Sequence, residues 1–470
     1  MNYTTYAAFD AAYKFSERCG FQLTDVQIAD VETFVKWKSS LNSGEVGVGK
    51  TCMSTVVALM RKHTYGLVVV PPILIRPWVQ WLGKVSESVC TYRGTPSQRK
   101  ELQKGEYHWY VMSHTILRMD FDWCVKKFKT DTEIIVDEAH ALKNPASRLF
   151  REVQLLESNP SNNLQLLTGT PVSKPLDVYA YVKLNTPEVY RSYSQFETIH
   201  VTERNFFKQP IAYGELDLLT TNLALRSIGR SKEFVHGYNL TPLYPDSSYE
   251  LSPEHRRLYE KLLDEQLLLF EDGSKIDATS VSKLTHAMQQ IIVNYDYFSN
   301  DPKNRSAAYD LVDMTIEDTQ CADVNRSKLI IWCKYRLTSG KMLTYCNSLG
   351  IKTVAAYGGS NAEEAVRLFM DDPETRILIG QPQSCGAGLN PQGVCSEALF
   401  LEYDTTSLLS RQAVGRIDRV GQKVKPTIRF AVAVGTVQDC LLKQLLNNDD
   451  MVSRIEPTKK GLREALLGVV

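Results

Sequence analysis

Apolar and polar positions along this chain alternate in blocks. Short apolar runs, many of them β-branched, are separated by stretches whose apolar positions recur at helical spacing. From residue 21 to about residue 184 this reads as a parallel sheet covered by helices. Its strand candidates are 66–70, 107–112, 133–136 and 164–167. Several end in a polar or glycine-containing turn, where open α/β sheets place their ligands.

From about 186 to 323 the character changes: 254–270 and 281–293 read as helices, separated by polar stretches rich in Pro and Asp. The alternation returns after residue 327, with strand candidates at 352–356, 376–379, 398–401 and 427–432. The pattern predicts an α/β protein: a first lobe over 1–185, a partly helical insertion or linker over 186–323, a second lobe over 324–450, and a polar terminal helix and tail over 451–470. No internal repeat or low-complexity tract interrupts it.

Length agrees, since 470 residues exceed one ordinary core. Hydrophobic residues make up 43% and charged residues 23%, ordinary values for a soluble globular chain. The best apolar run, 66–75, is broken by Pro71 and Pro72 and falls short of the roughly 18 residues of a membrane span. The first residues carry no basic n-region of a secretory signal. A cytoplasmic protein is expected, with no membrane partner. None of the ten cysteines forms a C-x-x-C pair, and Cys385 and Cys395, the nearest two, lack histidines at zinc-ligand spacing. Reduced, mostly buried thiols and no structural metal are expected. Lys+Arg equals Asp+Glu at 54 each, so net charge does not point to a polyanionic partner, although a local basic groove would suffice for one.

Gly44-Glu45-Val46-Gly47-Val48-Gly49-Lys50-Thr51 fits G-x-x-x-x-G-K-[ST]. Glycines let backbone N–H groups converge on phosphate oxygens, Lys50 reaches the β- and γ-phosphates, and the Thr51 hydroxyl joins Mg²⁺. A helix over 51–62 adds its N-terminal dipole. The stretch 36–43 before the loop is polar, whereas a phosphate loop should follow a buried strand. Ile134-Ile135-Val136-Asp137-Glu138-Ala139-His140 is an apolar strand ending in two acids. Asp137 is placed to hold Mg²⁺, usually through water, and Glu138 to orient and deprotonate an attacking water. Thr168, Gly169 and Thr170 follow another apolar strand; alone they are a turn, and after the other two motifs they read as a sensor of nucleotide state linked to the nucleic-acid site. In Gln412-Ala413-Val414-Gly415-Arg416-Ile417-Asp418-Arg419-Val420-Gly421-Gln422, Arg416 and Arg419 are three apart and are expected on one helix face. Arginines there stabilise the charge that builds during phosphoryl transfer. The small residues around Gly386, Ala387 and Gly388 permit close approach to phosphate or ribose.

In this order, GEVGVGKT, VDEAHALKN, LTGTP, GQPQSCGAGLN and QAVGRIDRVGQ resemble the motifs of Swi/Snf-type members of superfamily II helicases, over roughly residues 23–439. The resemblance implies two RecA-like lobes with parallel sheets, joined by the partly helical middle region. It implies ATP as substrate, Mg²⁺, and nucleotide in the cleft between lobes. Lys50, Thr51, Asp137 and Glu138 would come from one side, and Gln412, Arg416 and Arg419 from the other. Gln27 matches the glutamine that reads adenine. Pro71 with Trp78, then Ser113, His114 and Thr115, match first-lobe DNA-contacting segments; Tyr357, Gly358 and Gly359 match the second-lobe pattern. Asn42-Ser43 and Val172-Ser173-Lys174 depart from the usual residues without removing a catalytic group. No accessory module of the chromatin remodellers is legible, so the likeness is to compact helicases of bacteriophages and bacteria, in the cytoplasm of a bacterium or infected host.

The expected function is an ATP-dependent DNA helicase or translocase that unwinds or remodels branched DNA in recombination, repair or at replication forks, for which a monomer suffices. Three alternatives stand beside it: a duplex translocase without strand separation, an RNA helicase, and a catalytically dead nucleic-acid-binding scaffold. The GRIDRVGQ ending favours DNA over RNA, and the intact set Lys50, Asp137, Glu138 and Arg416 disfavours the scaffold.

Overall fold

A computed structural model describes residues 3–172, 174–204, 208, 210–238, 240–268, 278–385, 389–403 and 407–447. Its described residues form two compact units, one within Met1–Thr202 and Tyr213–Asn239, the other within Glu203–Ala212 and Leu240–Val470. The stretch 186–323 therefore contributes to both. The tail over 451–470 lies outside the described residues.

The first unit is built on strands β1 (Ser39–Asn42), β2 (Tyr65–Val70), β3 (Val89–Thr91), β4 (Trp109–Ser113), β5 (Thr132–Asp137) and β6 (Asn163–Leu167). Two further strands, β7 (Val201–Arg204) and β8 (Pro210–Tyr213), form a separate two-stranded sheet whose residues Glu203–Ala212 belong to the other unit, and β9 (Ser227–Ile228) returns to the main sheet. The main sheet runs β3-β4-β2-β5-β6-β1-β9, with every pairing parallel. Parallel sheets are covered on both faces, so their strands read as continuous apolar runs. Leu67–Val70 of β2 and Ile134–Val136 of β5 are such runs, all fully buried, each side chain contributing about 1.5–3 kcal/mol by leaving water.

Strand β1 is the exception. Its sequence Ser-Ser-Leu-Asn is polar, yet all four residues are buried between β6 and β9. The Ser39 hydroxyl donates to Glu157 Oε1 at 3.0 Å, and Asn42 Oδ1 accepts from the Gly44 N–H at 3.2 Å. These partners meet the cost of burying polar atoms, so the strand that should precede the phosphate loop is present without a hydrophobic signature.

At the start of β5, in the middle of this sheet, the buried Glu133 carboxylate receives Arg61 at 2.6 Å and Gln165 at 2.7 Å. His63 reaches the other Glu133 oxygen at 3.3 Å and Asp131 at 2.9 Å. Glu133 first, then Asp131, raise the His63 imidazole from 6.5 to about 9, with burial opposing them. Because the folded value exceeds the unfolded one, the stabilisation is complete below pH 6.5 and is lost as pH rises through about 9. After solvent screening it is worth about 2 kcal/mol. Urea unfolding at pH about 6 and about 9.5 should show this fall in the wild type and a much smaller one in His63→Gln; an equal fall in both would exclude the assignment.

The second unit carries β10 (Ser248–Tyr249), β11 (Lys328–Trp332), β12 (Thr353–Ala356), β13 (Ile377–Gly380), β14 (Cys395–Phe400), β15 (Thr427–Phe430) and β16 (Val432–Ala433). Its main sheet runs β12-β13-β11-β14-β15, again parallel, while β10 pairs with β16. The helices Pro253–Leu268 and Ala278–Val293 of the middle region share its core: Tyr259, Leu263, Met288 and Ile292 belong to the same buried cluster as Ile330, Leu378 and Leu399. All ten cysteines are free thiols, Cys19 half-buried and the others buried. Among the described residues, no helix is long and apolar enough to cross a membrane.

Candidate active site

The phosphate loop leaves β1 and turns into the helix Lys50–Arg61, the start expected at Thr51. Gly47 and Gly49 hold φ of 93° and 87°, a region that side chains with a Cβ rarely adopt. A Cβ on Gly49 would also lie 2.7 Å from Gln27 Nε2. The Lys50 ammonium donates to the Gly44 carbonyl at 2.7 Å and the Glu45 carbonyl at 2.9 Å. Gln27 is fully buried and its amide is engaged twice: Oε1 accepts from the Thr24 N–H at 2.8 Å, and Nε2 donates to the Val48 carbonyl at 2.7 Å. The glutamine matched to adenine recognition is thus bonded to the phosphate loop itself.

Residues of this neighbourhood escaped the sequence reading. Strand β9 pairs with Leu41 and Asn42, carrying the segment after it against the loop. The Glu45 N–H donates to the Arg230 carbonyl at 3.0 Å, and Glu45 Oε2 accepts from the Lys232 N–H at 2.9 Å. Arg230 in turn pairs with buried Asp30 at 2.7 Å. Nothing in the spacing of Arg230 and Lys232 signals this, because they lie far along the chain from Glu45.

At the end of β5, Glu138 adopts a left-handed φ of 52°, and its N–H donates to Asp137 Oδ1 at 2.9 Å. His140 Nδ1 lies 3.1 Å from Glu138 Oε2. The Trp78 indole donates to Asp137 Oδ2 at 2.9 Å. Burial, then the neighbouring Glu138 charge, push the Asp137 carboxyl above its ordinary range, while Trp78 and Lys50 oppose the rise. The Thr168-Gly169-Thr170 turn lies on the same loop: a Cβ on Gly169 would fall 2.7 Å from Val46 Cγ2 and 3.5 Å from Lys50 Nζ. Thr168 is buried, and its hydroxyl accepts from the Thr170 N–H at 3.2 Å.

Of the residues matched to nucleic-acid contact, Pro71 follows β2. Ser113 is buried and uses its hydroxyl to cap the helix His114–Met119, accepting from the Ile116 N–H at 3.2 Å. His114 faces the carboxylate pair: burial drives its imidazole down to about 4, with the Asp137 backbone acting in the other direction. Thr115 is exposed.

In the second unit, Gln412 and Arg416 lie on the helix Ser407–Ile417. Arg419 does not share that helix face. The helix ends at Ile417, the Arg419 N–H turns back to the Ile417 carbonyl at 3.0 Å, and the Arg419 guanidinium bonds Asn390 Oδ1. The cause lies just downstream: Gly421 has φ of 95°, and buried Gln422 donates to the Cys395 carbonyl at 2.9 Å, drawing the chain off the helix axis. After β12, the Gly358 N–H donates to Gln381 Oε1 at 3.2 Å, and Gln381 Nε2 donates to the Lys334 carbonyl at 2.8 Å. Tyr357 is half-buried beside it. Buried Glu402 accepts from the Lys334 and Tyr335 N–H groups at 3.0 and 3.1 Å; burial raises it to about 7. These bonds tie the loops after β11, β12, β13 and β14 into one edge. Gly386 and Gly388 lie outside the described residues.

Residues 27–298 match the SNF2-related domain, more than half of the chain. The chain belongs to the SNF2-related family. It is therefore a Snf2-like member of the superfamily II helicases and translocases. An uncharacterised ATP-dependent helicase of Mycoplasma genitalium is 22% identical over 450 residues, covering 89% of this chain and 41% of that protein. The DNA annealing helicase and endonuclease ZRANB3 of Bos taurus is 23% identical over 446 residues, covering 90% of this chain and 39% of that protein. This SNF2-related chain thus spans about two fifths of the length of these curated relatives. Its fold resembles the crystal structure of the Pyrococcus furiosus Hef helicase domain, with a TM-score of 0.51 at 14% identity, covering 89% of this chain and 97% of that one. The α/β units with parallel sheets are accordingly RecA-like lobes.

The SNF2-related core offers a donor set that fits nucleotide and a divalent cation. The loop glycines occupy conformations only glycine tolerates readily, the Lys50 ammonium is held by loop carbonyls, and burial, then the Glu138 charge, raise the Asp137 carboxyl.

Proposed function

We propose that this chain is a DNA-stimulated ATPase that moves along DNA and unwinds or remodels branched DNA, in the service of recombination, repair or replication forks. One observation carries the reading: within a single unit, the Gly169 turn packs against the phosphate loop at Val46 and Lys50, and Lys50 acts on Asp137 beside Glu138. Three motifs far apart in sequence thereby meet around one concentration of donors and acids.

In this reading Gly44–Thr51 N–H groups and Lys50 bind the phosphates of ATP, and Gln27 selects adenine by exchanging its Val48 bond for the base. Thr51 and Asp137 would hold Mg²⁺, which when bound neutralises phosphate charge and orients the leaving group. Glu138, with His140 Nδ1 3.1 Å from its carboxylate, positions the attacking water and takes its proton. Gln412, Arg416 and Arg419, with Gly388 earlier in the chain, serve the transferred phosphoryl group, whose charge Arg416 stabilises. Pro71, Ser113, His114, Tyr357, Gly358 and Gly386 belong to the segments that meet the track. Contacts of this kind fall mainly on the phosphate backbone and carry little sequence information. A single chain suffices, with one unit within Met1–Thr202 and Tyr213–Asn239 and the other within Glu203–Ala212 and Leu240–Val470.

The test is ATP hydrolysis measured without polynucleotide and with single-stranded DNA, duplex DNA, a four-way junction and RNA. Stimulation greatest on the junction, with strand displacement, is the expected result. Duplex stimulation without displacement would leave a translocase, preference for RNA would overturn the track, and no hydrolysis would leave a binding scaffold.

A further inference from the structure

The helix Ile75–Leu82 follows β2, and its Trp78 side chain is 2% exposed. The ring packs in the apolar cluster that contains Val68 and Val70 of β2, Ile135 of β5 and Leu167 of β6. A ring held on strands from the same sheet has no room to swing, so the direction of its N–H is set by packing. That N–H meets Asp137 Oδ2 at 2.9 Å, while the other oxygen of the carboxylate accepts the Glu138 N–H at 2.9 Å. Each oxygen thus has one fixed donor, and the plane of the carboxylate is determined before any ligand arrives. The other side of each oxygen keeps a lone pair for a further partner.

The buried indole nitrogens of Trp81, Trp109 and Trp332 meet no acceptor among the described residues, and those rings act by bulk. At position 78 the polar atom itself is employed, where a phenylalanine would fill nearly the same space.

We propose that Trp78 is a positioning residue for phosphoryl transfer: its indole N–H holds the Asp137 carboxylate in the orientation from which it takes a divalent cation, directly or through water. The proposal rests on the reading of Asp137 as the carboxylate that serves the metal. Partners one shell removed from a metal typically change its affinity by about 10–100-fold when replaced.

The test uses the full chain and Mn²⁺ as the probe, titrated in the presence of ADP and followed by electron paramagnetic resonance, in wild type, Trp78→Phe, Asp137→Asn and the double variant. Asp137→Asn is expected to weaken Mn²⁺ strongly, and Trp78→Phe by about tenfold. In the Asp137→Asn background, Trp78→Phe should add almost nothing, because its effect passes through that carboxylate. Unchanged Mn²⁺ affinity in Trp78→Phe, or an equal loss in both backgrounds, overturns the proposal. Unchanged affinity in Asp137→Asn instead overturns the metal assignment beneath it, and the two failures are told apart by that single variant. Should Trp78→Phe not fold, the indole N–H resonances of the six tryptophans in ¹⁵N-labelled protein decide the matter. One of them must move upfield in Asp137→Asn, and no movement rejects the bond.

Discussion

Glu138→Gln is expected to slow ATP turnover by about a thousandfold, within the usual range for removing a positioned general base. The side chain sits at the tip of β5 in a left-handed conformation, 3.1 Å from His140 Nδ1, and its N–H is tied to Asp137. Glutamine keeps the shape and the neutral hydrogen-bonding capacity, but cannot take a proton from water at neutral pH. Nucleotide binding should therefore survive, since Lys50 and the loop glycines are untouched. Phosphate release measured on saturating DNA, beside the affinity for ADP, checks both halves. A loss under tenfold would remove Glu138 from the base role, and a parallel loss of ADP affinity would show that the loop had been disturbed instead.

Arg416→Ala is expected to lower kcat on the order of 10³-fold or more, with a smaller change in KM, as for arginines that stabilise charge developing in phosphoryl transfer. Arg416 lies in the last turn of the helix Ser407–Ile417, so its backbone is held in regular structure. Arg416→Lys should recover little, because an ammonium cannot reproduce the planar fork of the guanidinium. Steady-state hydrolysis over a range of ATP concentrations separates kcat from KM. An unaltered kcat in Arg416→Ala would exclude the role, and full activity in Arg416→Lys would reduce it to simple charge.

Legibility followed hydrophobicity. Where strands are apolar on both faces, as at 66–70, 133–136 and 164–167, the readings lie within a residue of β2, β5 and β6 at each end. Strand β11, Lys-Leu-Ile-Ile-Trp, is the exception, apolar and fully buried yet absent from the strand candidates, and three-residue β3 is too short to carry a period. Strand β1 stayed hidden because its polar side chains find partners, Glu157 and the Gly44 N–H, that lie outside the strand. Arg416 and Arg419 looked equivalent at a spacing of three; the break at Ile417 depends on Gln422 reaching the Cys395 carbonyl on another element.

The sequence by itself determined the local chemistry: loop glycines followed by Lys50-Thr51, two acids at a strand end, the arginines near 416, and the alternation that makes two α/β lobes. Those features need only neighbouring residues, because a turn, a strand tip or a helical period is set within a few positions. Tertiary structure alone decided which distant groups finish them. Trp78 on Asp137, Gln27 on the Val48 carbonyl, Gly169 against Val46, and Arg230 and Lys232 beside Glu45 are all contacts between separate elements. Most of them depend on strand order, and the order β2-β5-β6-β1-β9 places side by side segments that no spacing along the chain relates.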